Sequence, residues 1–161
     1  MKLRLYIVVA ALAAMGTQLV STSAHAAAVV APSKPSTIVT LGSTGSTCIS
    51  GFHKLNQRLQ SDGSSAAFTI PTGMVLVVER IDWAVSGAGA DTLVLSELDI
   101  EGIGGSSPVL RDYAESNSAG AAGHSITFSG VPVKSVANLC WAASSGTPTT
   151  FSVHGFLAKD N

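Results

Sequence analysis

Three acidic residues at alternate positions form the first group in this sequence that could do chemistry. Glu97, Asp99 and Glu101 lie in and just after the segment TLVLSELDI, and in an extended strand alternate side chains project from one face. Their oxygens could bind Ca²⁺, which prefers hard oxygen ligands, or two of the carboxylates could act as a glycosidase acid and base. We favour a third interpretation, a solvated strand face that discourages edge-to-edge pairing.

The other catalytic residue types do not fall in a productive spacing. His53, His124 and His154 are far apart and lack a His-x-His pair, so a zinc site would need residues from distant strands. The segment GHSIT (123–127) resembles the G-x-S-x-G elbow of hydrolases, but Thr127 replaces the last glycine and no helical pattern follows. We therefore predict no catalytic residue, no enzymatic activity and no cofactor other than the Ca²⁺ alternative.

Two tryptophans could stack on a sugar ring. Trp83 shares its strand phase with Ile81 and Val85, so we expect it in the core. Trp141 directly follows Cys140, and neighbours in a strand point to opposite faces. If Cys140 is buried, Trp141 faces outward, which makes Trp141 the predicted ligand-binding residue.

Cys48 and Cys140 are the two cysteines of the chain. An even pair in an exported protein predicts a disulfide. Closing so long a loop would stabilise the fold by about 4 kcal/mol if the gain is entropic.

The first residues have the three parts of a secretory signal peptide. A basic start with Lys2 and Arg4 precedes the apolar run LYIVVAALAAMG and a polar end with small residues on both sides of His25. The apolar run is too short to span a bilayer stably, so we predict cleavage after Ala26, no later membrane insertion, and a secreted or periplasmic product. The expected organisation is a signal peptide (1–26), an exposed N-terminal lead-in (27–36) and one domain (37–161).

The charge of the predicted mature chain argues against nucleic acid as a partner. Removing Lys2 and Arg4 with the signal peptide leaves seven of the nine basic residues and all ten acidic ones, a net charge of −3. No basic run or patch is present in the sequence, so the electrostatic footprint of a nucleic-acid-binding protein is missing.

Period-two alternation dominates the predicted domain. Turn signals recur about every ten residues, which indicates eight to ten strands and no helix. We predict an all-β protein, a single β-sandwich of jelly-roll type. Two local features are a turn over 42–47 after a strand at 37–41, and a bulge near Ser96 and Glu97.

The segment IPTGMVLVVERIDWAV (70–85) is predicted to be a strand of this domain. Its alternation assigns one set of residues to the core face: Val75, Val77, Ile81, Trp83 and Val85. Glu79 falls in the same phase, so its carboxylate would need a partner on a facing strand. Arg80 and Asp82 share the other face as a surface ion pair.

Two segments, IPTGMVLVVERID and FSVHGFLA, resemble uncharacterised small secreted β-sandwich proteins of bacteria, a likeness that implies a fold but no activity. The wider pattern, a signal peptide and then a Gly/Ser/Thr-rich sandwich that ends on an alternating strand, resembles fimbrial and other adhesin-type subunits. That resemblance implies assembly by lending a strand to a neighbour's sheet. Those subunits close a short disulfide in their first half, whereas Cys48 and Cys140 lie at opposite ends of this domain.

These patterns predict an exported, non-enzymatic β-sandwich that binds a glycan or protein partner or has a structural role. One alternative is a carbohydrate-binding or carbohydrate-active protein that uses the acidic strand and Trp141. Another is a pilus-like subunit that forms homo-oligomers through its edge strands.

Overall fold

The computed structural model describes residues 34–160, and the regular structure there is almost entirely β. A 3₁₀ turn, Pro35–Thr37, precedes nine strands. They are β1 (Ile38–Thr47), β2 (His53–Leu59), β3 (Ser65–Ala67), β4 (Met74–Ser86), β5 (Leu93–Gly102), β6 (Gly105–Glu115), β7 (Ala122–Lys134), β8 (Asn138–Ala143) and β9 (Thr147–Lys159). The all-β prediction is confirmed for this part of the chain. The predicted signal peptide (1–26) and most of the lead-in lie outside the described residues.

The strands form one antiparallel sheet in the order β6-β5-β8-β2-β1-β9-β4-β7, with β3 paired to β2 beside this path. The order is symmetric about β1 and β2, because β9 and β8, β4 and β5, and β7 and β6 occupy matching positions. The sheet curls until it is nearly closed. A side-chain contact between His124 of β7 and Asp112 of β6, 2.9 Å from Nδ1 to Oδ2, links its two end strands. Within residues 34–160, no helix has the length and hydropathy needed to span a bilayer.

The inner face of the curled sheet carries the main core. Except for β3, whose three residues are exposed, the strands contribute side chains at alternate positions, as the period-two pattern requires. The largest of these side chains are buried to 2% exposure or less: Leu41, Leu76, Ile81, Trp83, Leu98 and Trp141.

Strand β4 departs from its predicted alternation at Glu79. In the pairing of β4 with β9, Val78 and Arg80 face the consecutive residues Gly155 and His154, so Glu79 is the extra residue of a β-bulge. The pairing of β4 with β7 shifts at the same place, with residues 128–130 of β7 opposite Glu79. The Glu79 side chain is exposed. A buried partner for Glu79 is therefore not required, and the prediction that it lies on the core face is wrong.

The bulge also corrects the predicted core face of β4. A bulge residue reverses the inside and outside positions on one side of it. Leu76 and Val78 therefore face the main core together with the residues after the bulge. Val75 and Val77 instead pack on the outer face against Phe156 of β9.

Gly155 of β9 pairs with Val78 beside this bulge. A Cβ at Gly155 would collide with the carbonyl oxygen of Val77. Glycine therefore lets β9 follow the bulged backbone of β4 closely, a common reason for glycine inside a strand.

Two other local predictions are wrong. The turn predicted over 42–47 is part of β1, which continues to Thr47 through an irregular pairing with β2. Strand β5 pairs with β8 without interruption from Ser96 to Glu101, so it has no bulge near Ser96. The irregularity lies across from β5, where Val109 of β6 is the extra residue between the partners of Leu98 and Asp99.

Candidate functional site

The acidic residues of β5 share the outer face of the sheet. Continuous pairing with β8 sets Glu97 opposite Ala142, Asp99 opposite Cys140 and Glu101 opposite Asn138. The alternating positions Ser96 and Leu98 face the core. The structure thus keeps the three carboxylates on one face, as the alternation predicts.

Each of the three carboxylates has its own protein donor. Arg111 Nε donates to Glu97 Oε2 at 2.6 Å, and Ser106 Oγ donates to Asp99 Oδ2 at 2.7 Å. The backbone N–H groups of Ile49 and Ser50 donate to Glu101 at 3.0 and 2.9 Å. Ca²⁺ binding by Glu97, Asp99 and Glu101 stays a prediction, and an ion would have to compete with these donors.

Asp99 and Glu101 are the two buried carboxylates of the three, each with 3% of its surface exposed. The Oδ1 atom of Asp99 has no hydrogen-bond partner among the described residues. Burial raises the pKa of Asp99, and the nearby Glu97 charge raises it further, against the opposing effect of the Ser106 hydrogen bond. In contrast, the amides of Ile49 and Ser50 lower the pKa of Glu101.

Cys48 and Cys140 form the predicted disulfide, with an S–S distance of 2.01 Å. Cys140 lies on the outer face of β8 and is fully buried, because the bond fastens the start of the β1–β2 loop over it. A Glu101 oxygen lies within 4.8 Å of both sulfurs. Disulfide sulfurs are not thiolate ligands, so this cluster does not form a metal site while the bond is intact.

Trp141 faces the core, so the expected outward orientation is wrong. It is 1% exposed, it stacks on Phe151 with ring centroids 4.3 Å apart, and its Nε1 donates to Ser96 Oγ at 2.7 Å. The prediction failed because Cys140 is buried on the outer face, under a loop. Little of the Trp141 ring is left to stack on a sugar. Trp83 lies in the core, as expected.

A shallow, open groove of about 690 Å³ lies where β7, β4 and β9 are adjacent, mostly on the outer face. Register places Ala84 between Gly123 and Thr150, and Asp82 between Ser125 and Ser152. Cross-strand partners share a face, so these two rows lie side by side on the sheet. The first row and Asp82 with Ser125 line the groove, and Glu115, Ala121 and His124 line it from the side of β6.

The floor of the groove is made of small residues. Ala84 carries one methyl group, and a Cβ at Gly123 would collide with the carbonyl oxygen of Trp83. The absence of larger side chains opens a space between the polar residues of the rim. The groove therefore has its space because the paired positions Ala84 and Gly123 carry small side chains.

Asp82 connects the groove to a polar network on the same face. His154 Nε2 lies 2.8 Å from Asp82 Oδ2 and 3.1 Å from Ser152 Oγ, and its Nδ1 lies 3.1 Å from Thr40 Oγ1. Arg80 donates to Asp82 Oδ1 at 3.0 and 2.9 Å. Burial raises the pKa of Asp82, but hydrogen bonds from Ser125, Arg80 and His154 outweigh it and leave the pKa below its ordinary value. Asp82 is therefore held as a carboxylate.

A second imidazole–carboxylate pair stands at the β6 side of the groove. Asp112 Oδ2 accepts a hydrogen bond from Trp83 Nε1 at 2.7 Å and lies 2.9 Å from His124 Nδ1. Because Trp83 belongs to β4, His124 to β7 and Asp112 to β6, this contact fixes the edge of β6 beside the groove.

No protein-family model matches the chain, and no curated protein matches it. The sequence alone predicted the Arg80–Asp82 pair but treated His124 and His154 as isolated residues. The missing information was the strand register, which depends on the bulge at Glu79 and brings Asp82 beside His154.

Proposed function

We propose that this chain is an exported, non-enzymatic binding module of the periplasm or cell exterior, and that its outer-face groove binds a short glycan. The observation that carries this proposal is the groove itself, about 690 Å³ with small residues at its floor and polar side chains at its rim. Binding sites are usually concave, with a few polar groups that set orientation.

The disulfide supports export. A bond between residues 92 positions apart forms and persists in oxidising compartments and is rare where thiols are kept reduced. The signal-peptide pattern at residues 1–26 agrees with this location. Secretion into the periplasm or the medium is therefore part of the proposal.

The strand order supports a jelly-roll sandwich. Four strands, β7-β4-β9-β1, lie on one side of the β1–β2 junction, and β2-β8-β5-β6 lie on the other. A jelly roll has eight strands in two such sheets, and the matched positions of β9 and β8, β4 and β5, and β7 and β6 fit that winding. In this assignment the short β3 is an addition to the second sheet, and the groove lies on the first.

The chemistry of the rim suits a ligand rich in hydroxyl groups. Glu115 offers carboxylate oxygens, which accept hydrogen bonds, and Ser125, Thr149 and Thr150 offer hydroxyls, which donate and accept. Hydrogen bonds to a charged partner are stronger than bonds between neutral groups. A sugar can use both kinds of partner through neighbouring hydroxyls.

The geometry of the His154 network favours binding over catalysis. Ser152 and Asp82 share Nε2 of His154, whereas a catalytic serine lies at the nitrogen opposite the carboxylate. Thr40 lies at the opposite nitrogen. However, the backbone beside Thr40 is hydrogen-bonded in the ladder between β1 and β9. An oxyanion intermediate needs free donors aimed at it, and this backbone does not supply them.

A pilus-like subunit is the second candidate, favoured by the end strands of the sheet. β6 and β7 stand at the two ends of the strand path, and exposed edges can accept a strand from another chain. The carbohydrate-active alternative has less support, because Trp141 is buried and the acidic residues of β5 are bound by protein donors.

The proposal is tested by glycan binding to the purified mature chain, residues 27–161. A glycan array selects candidates, and titration calorimetry measures the dissociation constant of each hit. Ala84→Leu should abolish binding, because the larger side chain fills the groove floor. Thr150→Val should weaken binding by about tenfold if its hydroxyl is used by the ligand.

Thr147→Val is the matched control, since Thr147 lies on the same strand at an exposed position outside the groove. It should leave the affinity unchanged. Wild-type affinity in a folded Ala84→Leu variant would refute the groove as the site. If no glycan binds and the chain instead forms oligomers in size-exclusion chromatography, the assembly candidate is favoured.

A further inference from the structure

A second cavity of about 180 Å³ lies at a fork in the sheet, away from the proposed glycan groove. Strand β2 pairs with β8 only through His53 and Lys54, and with β3 only from Gln57 onwards. Leu55 and Asn56 stand between these two pairings, and both line the cavity. The cavity therefore occupies the place where β8 and β3 separate.

The inner wall of this fork cavity belongs to the main core. Four leucines line it, each 4% exposed or less: Leu41, Leu55, Leu76 and Leu139. Phe68, Ile70 and Ala137 are partly buried and pack against the same core. This inner wall is thus aliphatic and aromatic, whereas the rest of the lining includes the polar residues Lys54, Asn56 and Asn138.

The outer side of the fork cavity is formed by two connections. Thr69 lies in the β3–β4 connection and Ser135 in the β7–β8 connection, and both are exposed. A small molecule can therefore enter between these connections without opening the β-ladders. The cavity therefore faces solvent on one side and is bounded by leucine side chains on the other.

The volume of the cavity fits one ring. Protein interiors have few voids larger than a water molecule, and an apolar cavity of about 150 Å³ stays dry and accepts benzene. Here the small side chain of Ala137 lines the cavity between the leucine wall and an exposed connection. A leucine there would take up much of the space, and alanine keeps it open.

We propose that the fork cavity binds a small uncharged ring compound, apolar over most of its surface and with at most one hydroxyl or N–H group. Two of the polar residues near it have neighbours outside the cavity: Asn56 lies 3.4 Å from Ser46 Oγ, and Asn138 is the ladder partner of Glu101 between β8 and β5. Lys54 also lines the cavity and is half-buried. The inner wall offers no buried charge to pair with an ionised ligand. Burial of the apolar ring supplies the affinity.

Binding of toluene, phenol and indole to the disulfide-intact mature chain tests this proposal, with benzoate as the charged comparison. We expect saturable one-to-one binding and a higher melting temperature with at least one of the three neutral rings, and a weaker effect with benzoate. Ala137→Leu should weaken ring binding by about tenfold or more, because its added carbons occupy the ligand's space. Ala66→Leu, an exposed substitution on neighbouring β3 outside the lining, should not weaken it.

A wild-type measurement keeps the test independent of how the variants fold. In the wild-type complex, ligand protons should show nuclear Overhauser effects to the methyl groups of Leu55, Leu76 and Leu139. Absence of saturable binding by all three rings would overturn the proposal. Effects confined to other methyl groups, or unchanged affinity in a folded Ala137→Leu variant, would overturn it as well.

Discussion

Asp99 has one carboxylate oxygen on the hydroxyl of Ser106, and the other is buried without a partner in the described part of the chain. An unsatisfied buried polar atom costs more than a missing hydrogen bond at the surface. Glu97 adds a like charge nearby, and both effects raise the pKa of Asp99. The ionised carboxylate is therefore a local source of instability.

Asp99→Asn should stabilise the fold at pH 7 by about 1 kcal/mol. The amide oxygen can keep the Ser106 hydrogen bond, and the amide nitrogen can donate to Glu97. A raised folded pKa means that protonated Asp99 favours the fold below its ordinary value of 3.8, and this contribution is lost as the pH rises through the folded pKa. The advantage of the variant should thus grow from pH 3 to pH 7.

Urea unfolding at both pH values measures this difference. Asp62→Asn is the comparison, since Asp62 is exposed in a turn and its pKa is lowered by Ser64. Its effect should have the opposite dependence on pH. A wild-type protein more stable than Asp99→Asn at pH 7 would contradict our account of Asp99.

Trp141→Ala should destabilise the protein by about 3–5 kcal/mol, the usual range for an aromatic residue removed from a core. The substitution removes the stack on Phe151 and leaves the buried Ser96 hydroxyl without its donor. Tyr113→Ala, at a half-exposed aromatic residue, should cost much less in the same denaturation experiment. Similar losses for the two variants would show that Trp141 is not a core residue.

At the scale of elements, the bulge in β4 decides which side chains face the core. The sequence revealed strand β4 but not its bulge, because Val75, Val77 and Ile81 fit an unbroken alternation as well. Two local signals were present: a glutamate in the core phase and Gly155 inside a strand. Only the register shift between β4 and β9 connects these two signals, because it places Gly155 opposite Val78, next to Glu79.

Deletion of Glu79 should prevent folding, whereas Glu79→Ala should change stability by no more than about 0.5 kcal/mol. Without the extra residue, the segment after it would reverse its faces and expose Ile81, Trp83 and Val85. The alanine variant keeps the bulge and alters only an exposed side chain. Circular dichroism and urea unfolding of both variants measure the contrast, and a stably folded deletion variant would contradict the assigned register.

For the whole molecule, the disulfide joins the first β-hairpin to the second last strand of the chain. Composition and turn spacing were enough to predict the strand class, and the even cysteine count was enough to predict the bond. The groove could not be predicted in the same way. Asp82, Gly123 and Thr150 come from three strands, so their proximity depends on pairings that the linear pattern leaves open.

Replacing both cysteines with alanine should lower the free energy of unfolding by about 4 kcal/mol, from the entropy of a loop this long. Ser46→Ala and Ser144→Ala, at exposed positions near the two cysteines, form a double-variant control that should retain most of the stability. Urea unfolding with the disulfide intact is the reference. Equal stability of the cysteine-free and wild-type proteins would show that the bond does not hold the two ends of the domain together.

The central claim is that the groove across β7, β4 and β9 binds a glycan. Chemical-shift mapping of the isotope-labelled mature chain with an array-selected glycan tests it most directly. We predict saturable shifts centred on the amides of Ala84, Gly123, Ser125 and Thr150. No saturable shift with any glycan, or shifts centred on the acidic strand β5, would contradict the claim.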